Sequence, residues 1–283
     1  MAIHTTESVD VYATAALPFL EEDPCARNVL LTVIDTVRAA PGSFSAPPSF
    51  WWITDESGAV RGAASWTPPY PLLVSAIPDS AASELAASMI ARATSIGVRA
   101  PGINGPERSA HAVASAWTAS AAGTIGRART ILLNELDRLT DVPIPPGSAR
   151  SATLEDVPLL AGWLAAFGAE VDLIIGLDPR VTAERSVRAG IFDLWTADAT
   201  PVCLVGHRVA ARVLRVGPVY TPPEHRNHGY GRRLTYEVTA SALATPDVDR
   251  AMLFTDADNP VSNSIYRQAG YVARDRHVEI AFA

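Results

Sequence analysis

The sequence predicts an α/β chain built as two similarly patterned halves, and three observations predict it. Short apolar, β-branched runs alternate with segments whose apolar residues recur at helical spacing. The order helix, strand–turn–strand, break, helix, strand occurs twice, and Thr67-Pro68-Pro69 in the first half is echoed by Thr221-Pro222-Pro223 in the second. Between Val213 and Gly231 (VLRVGPVYTPPEHRNHGYG) a strand, a tight loop and a helix start follow one another.

Composition narrows the class. At 283 residues, 48% hydrophobic and 19% charged, the chain is globular and long enough for two domains. No apolar run approaches a membrane span. Met1 to Asp10 has neither a basic region nor an apolar core, so no signal peptide is expected. Cys25 and Cys203 stand far apart and alone, which gives no disulfide framework or zinc cluster and makes a reducing cytoplasm the simplest setting. A net charge of −7 argues against nucleic acid as a partner. The chain has no lysine; with its many Ala, Pro and Gly this points to a GC-rich, bacterial source and excludes lysine chemistry.

The elements follow in order. Residues up to Asp23 are mixed and read as a short helix or a mobile start. Val29, Leu30, Val33 and Val37 predict a helix over Asn28 to Ala39, and Pro41 to Pro48 a loop. Phe50 to Thr54 and Ala59 to Trp66 are strands around Asp55-Glu56-Ser57-Gly58. Pro68 to Pro71 breaks the pattern and Leu72 to Ser75 resumes it. Helices over Ala81 to Thr94 and Ser109 to Ala121 precede a strand over Arg127 to Leu136. Asp141 to Gly147 (DVPIPPG) is the expected linker, separating a domain at 1–140 from one at 148–283. Ala149 to Ala152 is a short strand. Thr153 caps a helix running to Phe167, with Asp156 at its third position, and Val181 to Ala189 is a second helix. Ile191 to Ala197 and Val202 to Val209 are strands around Asp198. After the strand over Val213 to Tyr220 and its helix come a strand (Ala251 to Thr255), a helix (Ser262 to Ala269) and two strands (Tyr271 to Ala273, His277 to Phe282).

The anchor stretch has the chemistry of an anion site. The first N–H groups of a helix lack intrahelical partners, and its dipole is positive there. Glycines at 229 and 231 admit a phosphate close to the backbone. Arg232 and Arg233 would oppose the dipole, and are better explained by a polyanion between them and the helix end. The loop has no G-K-[ST] ending and is not G-x-G-x-x-G. Gly217-Pro218 marks a bulge, since proline cannot donate to a ladder.

Arg226-Asn227-His228-Gly229-Tyr230-Gly231, spaced R-x-x-G-x-G after a strand, resembles the acyl-CoA pyrophosphate loop of the GNAT superfamily, the Gcn5-related N-acetyltransferases. Asn259 to Tyr271 (NPVSNSIYRQAGY) is similar to that family's later motif, N-x-x-[AS]-x-x-x-Y-x-x-x-G-[FY]. The resemblance extends over the C-terminal half. It implies two GNAT-like (acyl-CoA N-acyltransferase) domains, each a mixed twisted sheet flanked by helices. The first would be a degenerate copy, for no R-x-x-G-x-G follows its Thr-Pro-Pro; one active and one degenerate copy is a known layout in the family.

What the resemblance implies for the site is as follows. Acetyl-CoA lies across Val219 to Arg232, with Val219, Tyr220 and Thr221 along the thioester. Backbone N–H groups of Asn227, His228, Gly229, Tyr230, Gly231 and Arg232 bind the pyrophosphate, and Arg226 belongs to the same loop. Asn259 touches the pantetheine or caps the short helix, and Arg267 and Arg232 are candidates for the 3′-phosphate. Tyr266 protonates the departing thiolate. Glu224 is the nearest carboxylate in sequence for the base; Asp256, Asp258, His225, His228 and a water chain are alternatives. The activity would be transfer of an acetyl group from acetyl-CoA to a primary amine of a small molecule or peptide, in a ternary complex. No metal, nucleic-acid or membrane partner is implied, and the chain would be a monomer or homodimer. A binding protein without transfer activity is the alternative, and a phosphate-cradling nucleotide enzyme the more distant one. Trp51, Trp52, Trp66 and Tyr70 could wall an acceptor cleft, or pack as core. The acceptor itself would depend on loops around Glu170 to Arg180.

Overall fold

The computed structural model describes residues 1–120, 123–171 and 178–283. Position 121, the expected end of one helix, and residues 172–177 of the expected acceptor loop lie outside the described residues. The chain forms two compact α/β units. One comprises Met1–Leu133, Asp256–Asp258 and Arg274–Ala283, the other Asn134–Thr255 and Asn259–Ala273. The division thus falls at Leu133, not in the proline-rich 141–147. That stretch is tied into the second unit: Val142 is buried in its core and Trp195 Nε1 donates to the Pro146 carbonyl at 2.9 Å. The last ten residues belong to the first unit.

The first unit runs β1 (Ala2–Thr6), α1 (Val9–Glu22), α2 (Asn28–Ala39), β2 (Ser49–Thr54), β3 (Val60–Trp66), β4 (Leu72–Val74), α3 (Ala82–Ile96), β5 (Gly102–Pro106), α4 (Glu107–Ser120) and most of β6 (Ile125–Leu136). β1 to β4 pair antiparallel in succession and β5 joins β4 in parallel, so the sheet is mixed. Leu85, Met89, Val113 and Trp117 of α3 and α4 pack on one face over Trp51, Trp66 and Ile103, while Tyr12 of α1 stacks on Phe50 of β2 at 4.8 Å. Trp51 and Trp66 are fully buried, with their indole N–H groups on Ser88 Oγ and the Tyr70 carbonyl, and Trp52 stacks on His4. Trp51 and Trp66 are thus core, and Trp52 packs along the strand.

The second unit repeats the order: β7 (Ser148–Ser151), α5 (Val157–Glu170), α6 (Pro179–Arg188), β8 (Phe192–Ala197), β9 (Thr200–Ala210), β10 (Val213–Tyr220), α7 (Tyr230–Leu243), β11 (Arg250–Asp256), α8 (Pro260–Gln268) and the start of β12 (Tyr271–Phe282). β7 to β10 are antiparallel and β11 is parallel to β10. Thr153 and Asp156 form a capping box at the turn before α5. Asp198-Ala199 and Ala211-Arg212 both have positive φ at two successive residues, the turn geometry that matches strand twist in two-residue hairpins. α7 packs Leu234 and Val238 on one face of the sheet, and α5 packs Leu160 and Leu164 on the other.

Two local expectations change, and one strand is new. The start of the chain is a strand and a helix of 14 residues, hidden in the sequence by Pro18 inside α1. β5 (GINGP), in a stretch to which the sequence assigned no element, is a strand between β4 and β12, and a Cβ at its Gly105 would lie 2.5 Å from the Val74 carbonyl oxygen. Tyr271 to Phe282 is one strand rather than two; its exposed middle, Val272 to Arg276, only looks like a break.

Candidate donor site in the second unit

β10 and β11 pair from Val213↔Arg250 to Val216↔Leu253 and no further, although β10 continues to Tyr220 and β11 to Asp256. The pairing ends where Gly217-Pro218 interrupts it. Against β9 the register jumps from Val216↔His207 to Val219↔Val205, which is a bulge. Gly217 has φ +141°, open to glycine and hardly to other residues, and Pro218 has no N–H. Gly206 on β9 makes room: a Cβ there would meet the Gly217 carbonyl and Pro218 Cδ at 2.8 Å. The two parallel strands therefore part, and Val219 to Thr221 border the gap.

Beyond the strand, Pro223–His225 make one 3₁₀ turn, and Asn227 and Gly229 take left-handed conformations (φ 67° and 82°) that swing the chain into α7. The first N–H of this helix with a backbone acceptor is Arg233, on the Gly229 carbonyl at 3.0 Å. Among the described residues, the N–H groups of Asn227, His228, Gly229, Tyr230, Gly231 and Arg232 donate to no protein acceptor. Six consecutive free donors at the positive end of a 14-residue helix form an anion cradle. Gly231 keeps its inner side open: a Cβ there would reach Val219 Cγ1, Thr221 Oγ1 and Cys203 Sγ at 3.4, 3.5 and 3.8 Å.

The arginines divide by role. Arg226 is a clamp: Nη2 donates to both oxygens of Glu170 (2.7 and 2.8 Å) and Nε to the Thr221 carbonyl (2.9 Å), fixing the loop to the end of α5. Arg233 is buried and bound by Asp141, the Val142 carbonyl and Glu237, so its place in the first turn is explained by protein partners and not by a polyanion. Arg232 is half-buried; Nη1 donates to Gln268 Oε1, but its buried Nε has no partner. Arg267 is exposed. His228 turns Nδ1 back to the Arg226 carbonyl (2.7 Å) and stacks on Tyr230 at 5.4 Å.

Tyr266, on α8, packs against the second unit's core with its ring edge-on to Tyr271 at 6.3 Å. Burial raises its phenol well above the ordinary range, and Cys203 and Tyr271 add to the shift. Cys203 is buried, accepts a hydrogen bond from Thr221 Oγ1 at 3.3 Å, and is pushed up to about 12 by burial. Asn259 caps α8, its Oδ1 accepting from Ser262 N at 3.0 Å. Glu224 is exposed on the 3₁₀ turn and makes no hydrogen bond among the described residues. Asp256 and Asp258 fall among the residues of the first unit, where the Asp258 N–H donates to Asp256 at 2.8 Å. Among the described residues no three His, Cys, Asp or Glu side chains gather as a metal site would need.

Sequence reasoning missed Cys203, set aside as a lone cysteine, and the aromatic pair Trp163 and Phe167, whose rings reach Tyr220 at 6.2 and 6.3 Å. Their spacing of four residues on a helix uncharged from Val157 to Ala169 was the available signal.

This fold and this parted strand pair define the class: the chain has the GNAT acetyltransferase fold, in tandem form. A protein from Drosophila superposes with a TM-score of 0.70 at 12% identity, over 99% of this chain and 98% of that one. The GCN5-related N-acetyltransferase from Sphaerobacter thermophilus gives 0.62 at 15% identity, over 99% and 95%. A tandem GNAT protein from the clavulanic acid biosynthesis pathway gives 0.56 at 14%, over 100% and 98%. At such identities the likeness is one of fold alone. More particularly, residues 196–280 match the family described as FR47-like protein. No curated protein matches the sequence. No helix among the described residues is long and apolar enough to cross a membrane.

Proposed function

We propose that the second unit transfers an acetyl group from acetyl-CoA to a primary amine, and that the first is a copy without a donor site. The observation that supports this most is the run of six free N–H groups from Asn227 to Arg232, beside strands that part at Gly217. The cradle takes the pyrophosphate, with the free Nε of Arg232 on its border and Arg267 toward the 3′-phosphate. The pantetheine arm follows Val219 to Thr221 as an added strand would, and Asn259 orders the start of α8 beside it.

In the reaction the amine nitrogen attacks the thioester carbonyl, the C–N bond forms and the C–S bond breaks. The Tyr266 phenol gives its proton to the departing thiolate, a role suited to a group that burial keeps protonated. Glu224 takes the amine's proton, directly or through water. Free backbone donors bordering the gap polarise the carbonyl.

In the first unit the turn before α3 offers no such run of free donors among the described residues: Pro78 has no N–H and that of Ala81 is taken by the Pro78 carbonyl at 2.9 Å. Gly105 of β5 lies against the Val74 carbonyl, and the Ile77 N–H is taken by Ser109 Oγ at 3.1 Å. Asp79 stands at the helix start, where a phosphate would be repelled.

Calorimetric titration with acetyl-CoA tests the proposal, beside Gly231→Trp. The added ring would fill the space bordered by Val219, Thr221 and Cys203. Saturable binding in the parent, lost in the variant while circular dichroism is unchanged, is expected. No binding by the folded parent would overturn it.

A further inference from the structure

α5 has no charged side chain between Val157 and Ala169, and its only side-chain hydrogen-bonding group there is the Trp163 indole. Val157, Leu160 and Leu164 are buried against the sheet. Trp163 and Phe167, one turn apart, are only half-buried. Both reach the Tyr220 ring, Trp163 tilted at 55° and Phe167 edge-on at 78°. Trp51, Trp66 and Trp195 each place the indole N–H on a protein acceptor, whereas that of Trp163 has none among the described residues. Large rings left partly in water beside an unused donor are the makings of a ligand contact, since aromatic surfaces favour offset and edge-to-face partners.

Charge argues in the same direction. Glu170, the carboxylate at the end of α5, is consumed by Arg226, which leaves no second acidic group on this helix to hold a polycation. Tyr220 directly follows Val219 at the gap between β10 and β11, so the three rings flank the place where the thioester would lie.

We propose that the acceptor is an aryl-alkyl amine whose ring packs against Trp163 and Phe167; this rests on the acyl-transfer reading above. The test first measures acetyl-CoA affinity by calorimetry, then CoA release over a panel of phenethylamine, tryptamine, spermidine and glucosamine. Aryl-alkyl amines are expected to lead in kcat/KM by about tenfold or more. Trp163→Leu and Phe167→Leu should erase that lead by raising KM for the aryl amines while acetyl-CoA affinity holds, and Trp163→Phe should restore part of it. If acetyl-CoA binds but spermidine or glucosamine leads, if no aryl amine is acetylated, or if the lead survives both leucine variants, the proposal is overturned and the donor reading stands. If acetyl-CoA does not bind, both fall.

Discussion

Arg233 and Arg232 are neighbours in the first turn of α7, and the structure gives them opposite duties. Replacing Arg233 with Met keeps most of the buried stem and removes the guanidinium. The Val142 carbonyl, buried and accepting at 3.0 Å, then loses its donor, which costs about 1–3 kcal/mol. The carboxylates of Asp141 (78% exposed) and Glu237 (37% exposed) stay hydrated when the buried guanidinium is lost, so each ion pair contributes about 0–1 kcal/mol. The sum is about 3 kcal/mol, a fall in Tm of about 6–12 °C for a domain of this size. Acetyl-CoA affinity should stay within about twofold at a temperature where the variant is folded, because none of these partners borders the cradle. Arg232→Met should do the reverse. Its Tm should hold, while the acetyl-CoA Kd rises about fivefold to tenfold through loss of a charge beside a phosphate. Differential scanning calorimetry and isothermal titration on the two variants decide the matter. If Arg233→Met weakens acetyl-CoA as much as Arg232→Met does and leaves Tm unchanged, the assignment is refuted.

Three further outcomes are expected. Tyr266→Phe should lower kcat about 100-fold or more with acetyl-CoA affinity retained; because burial raises the phenol's pKa, steady-state rates in the parent should show no loss from this group up to about pH 10. Asp156 is held at about 2, first by its hydrogen bonds from Arg150, so its folded value lies below the unfolded value of about 3.9. Its stabilisation, about 1–2 kcal/mol after allowance for the partly exposed Arg150, is present above pH ~4 and lost as pH falls through ~2; Asp156→Asn should remove that slope from urea midpoints measured against pH. Acetyl-CoA should bind with a stoichiometry of one per chain, and a value of two by calorimetry would contradict a donor site confined to the second unit.

Legibility in the sequence followed the range of the interactions involved. α2 and β10 have the predicted bounds because their signals are local: apolar spacing in one, β-branched residues stopped by prolines in the other. The helix start at Gly229 was equally plain, since two glycines and a change of period announce it. What was not legible depended on partners distant in sequence. β5 is a strand because β4 and β12 flank it, with glycines where neighbouring backbone comes closest. Arg233 looked like a phosphate cation because Asp141 lies 92 residues away. The duty of Arg226 was likewise set by Glu170, 56 residues upstream.

The two units have the same parallel pair in the same place, β4 with β5 and β10 with β11, so topology alone does not make a donor site. The difference is in a few residues. In the second unit Gly217-Pro218 ends the ladder early, Gly206 accommodates the bulge, and a left-handed Gly229 starts a helix whose first N–H groups stay free. In the first, β4 and β5 pair only at Leu72↔Ile103 and Leu73↔Asn104, Gly105 lies against the Val74 carbonyl, and Asp79, held by Arg108, places a carboxylate at the helix start. Glycine serves a bulge in one copy and a close approach in the other, because lack of a side chain permits either. On the proposed function, selection for acyl-CoA binding therefore acts on backbone geometry at Gly217, Gly229 and Gly231 more than on any single charged side chain.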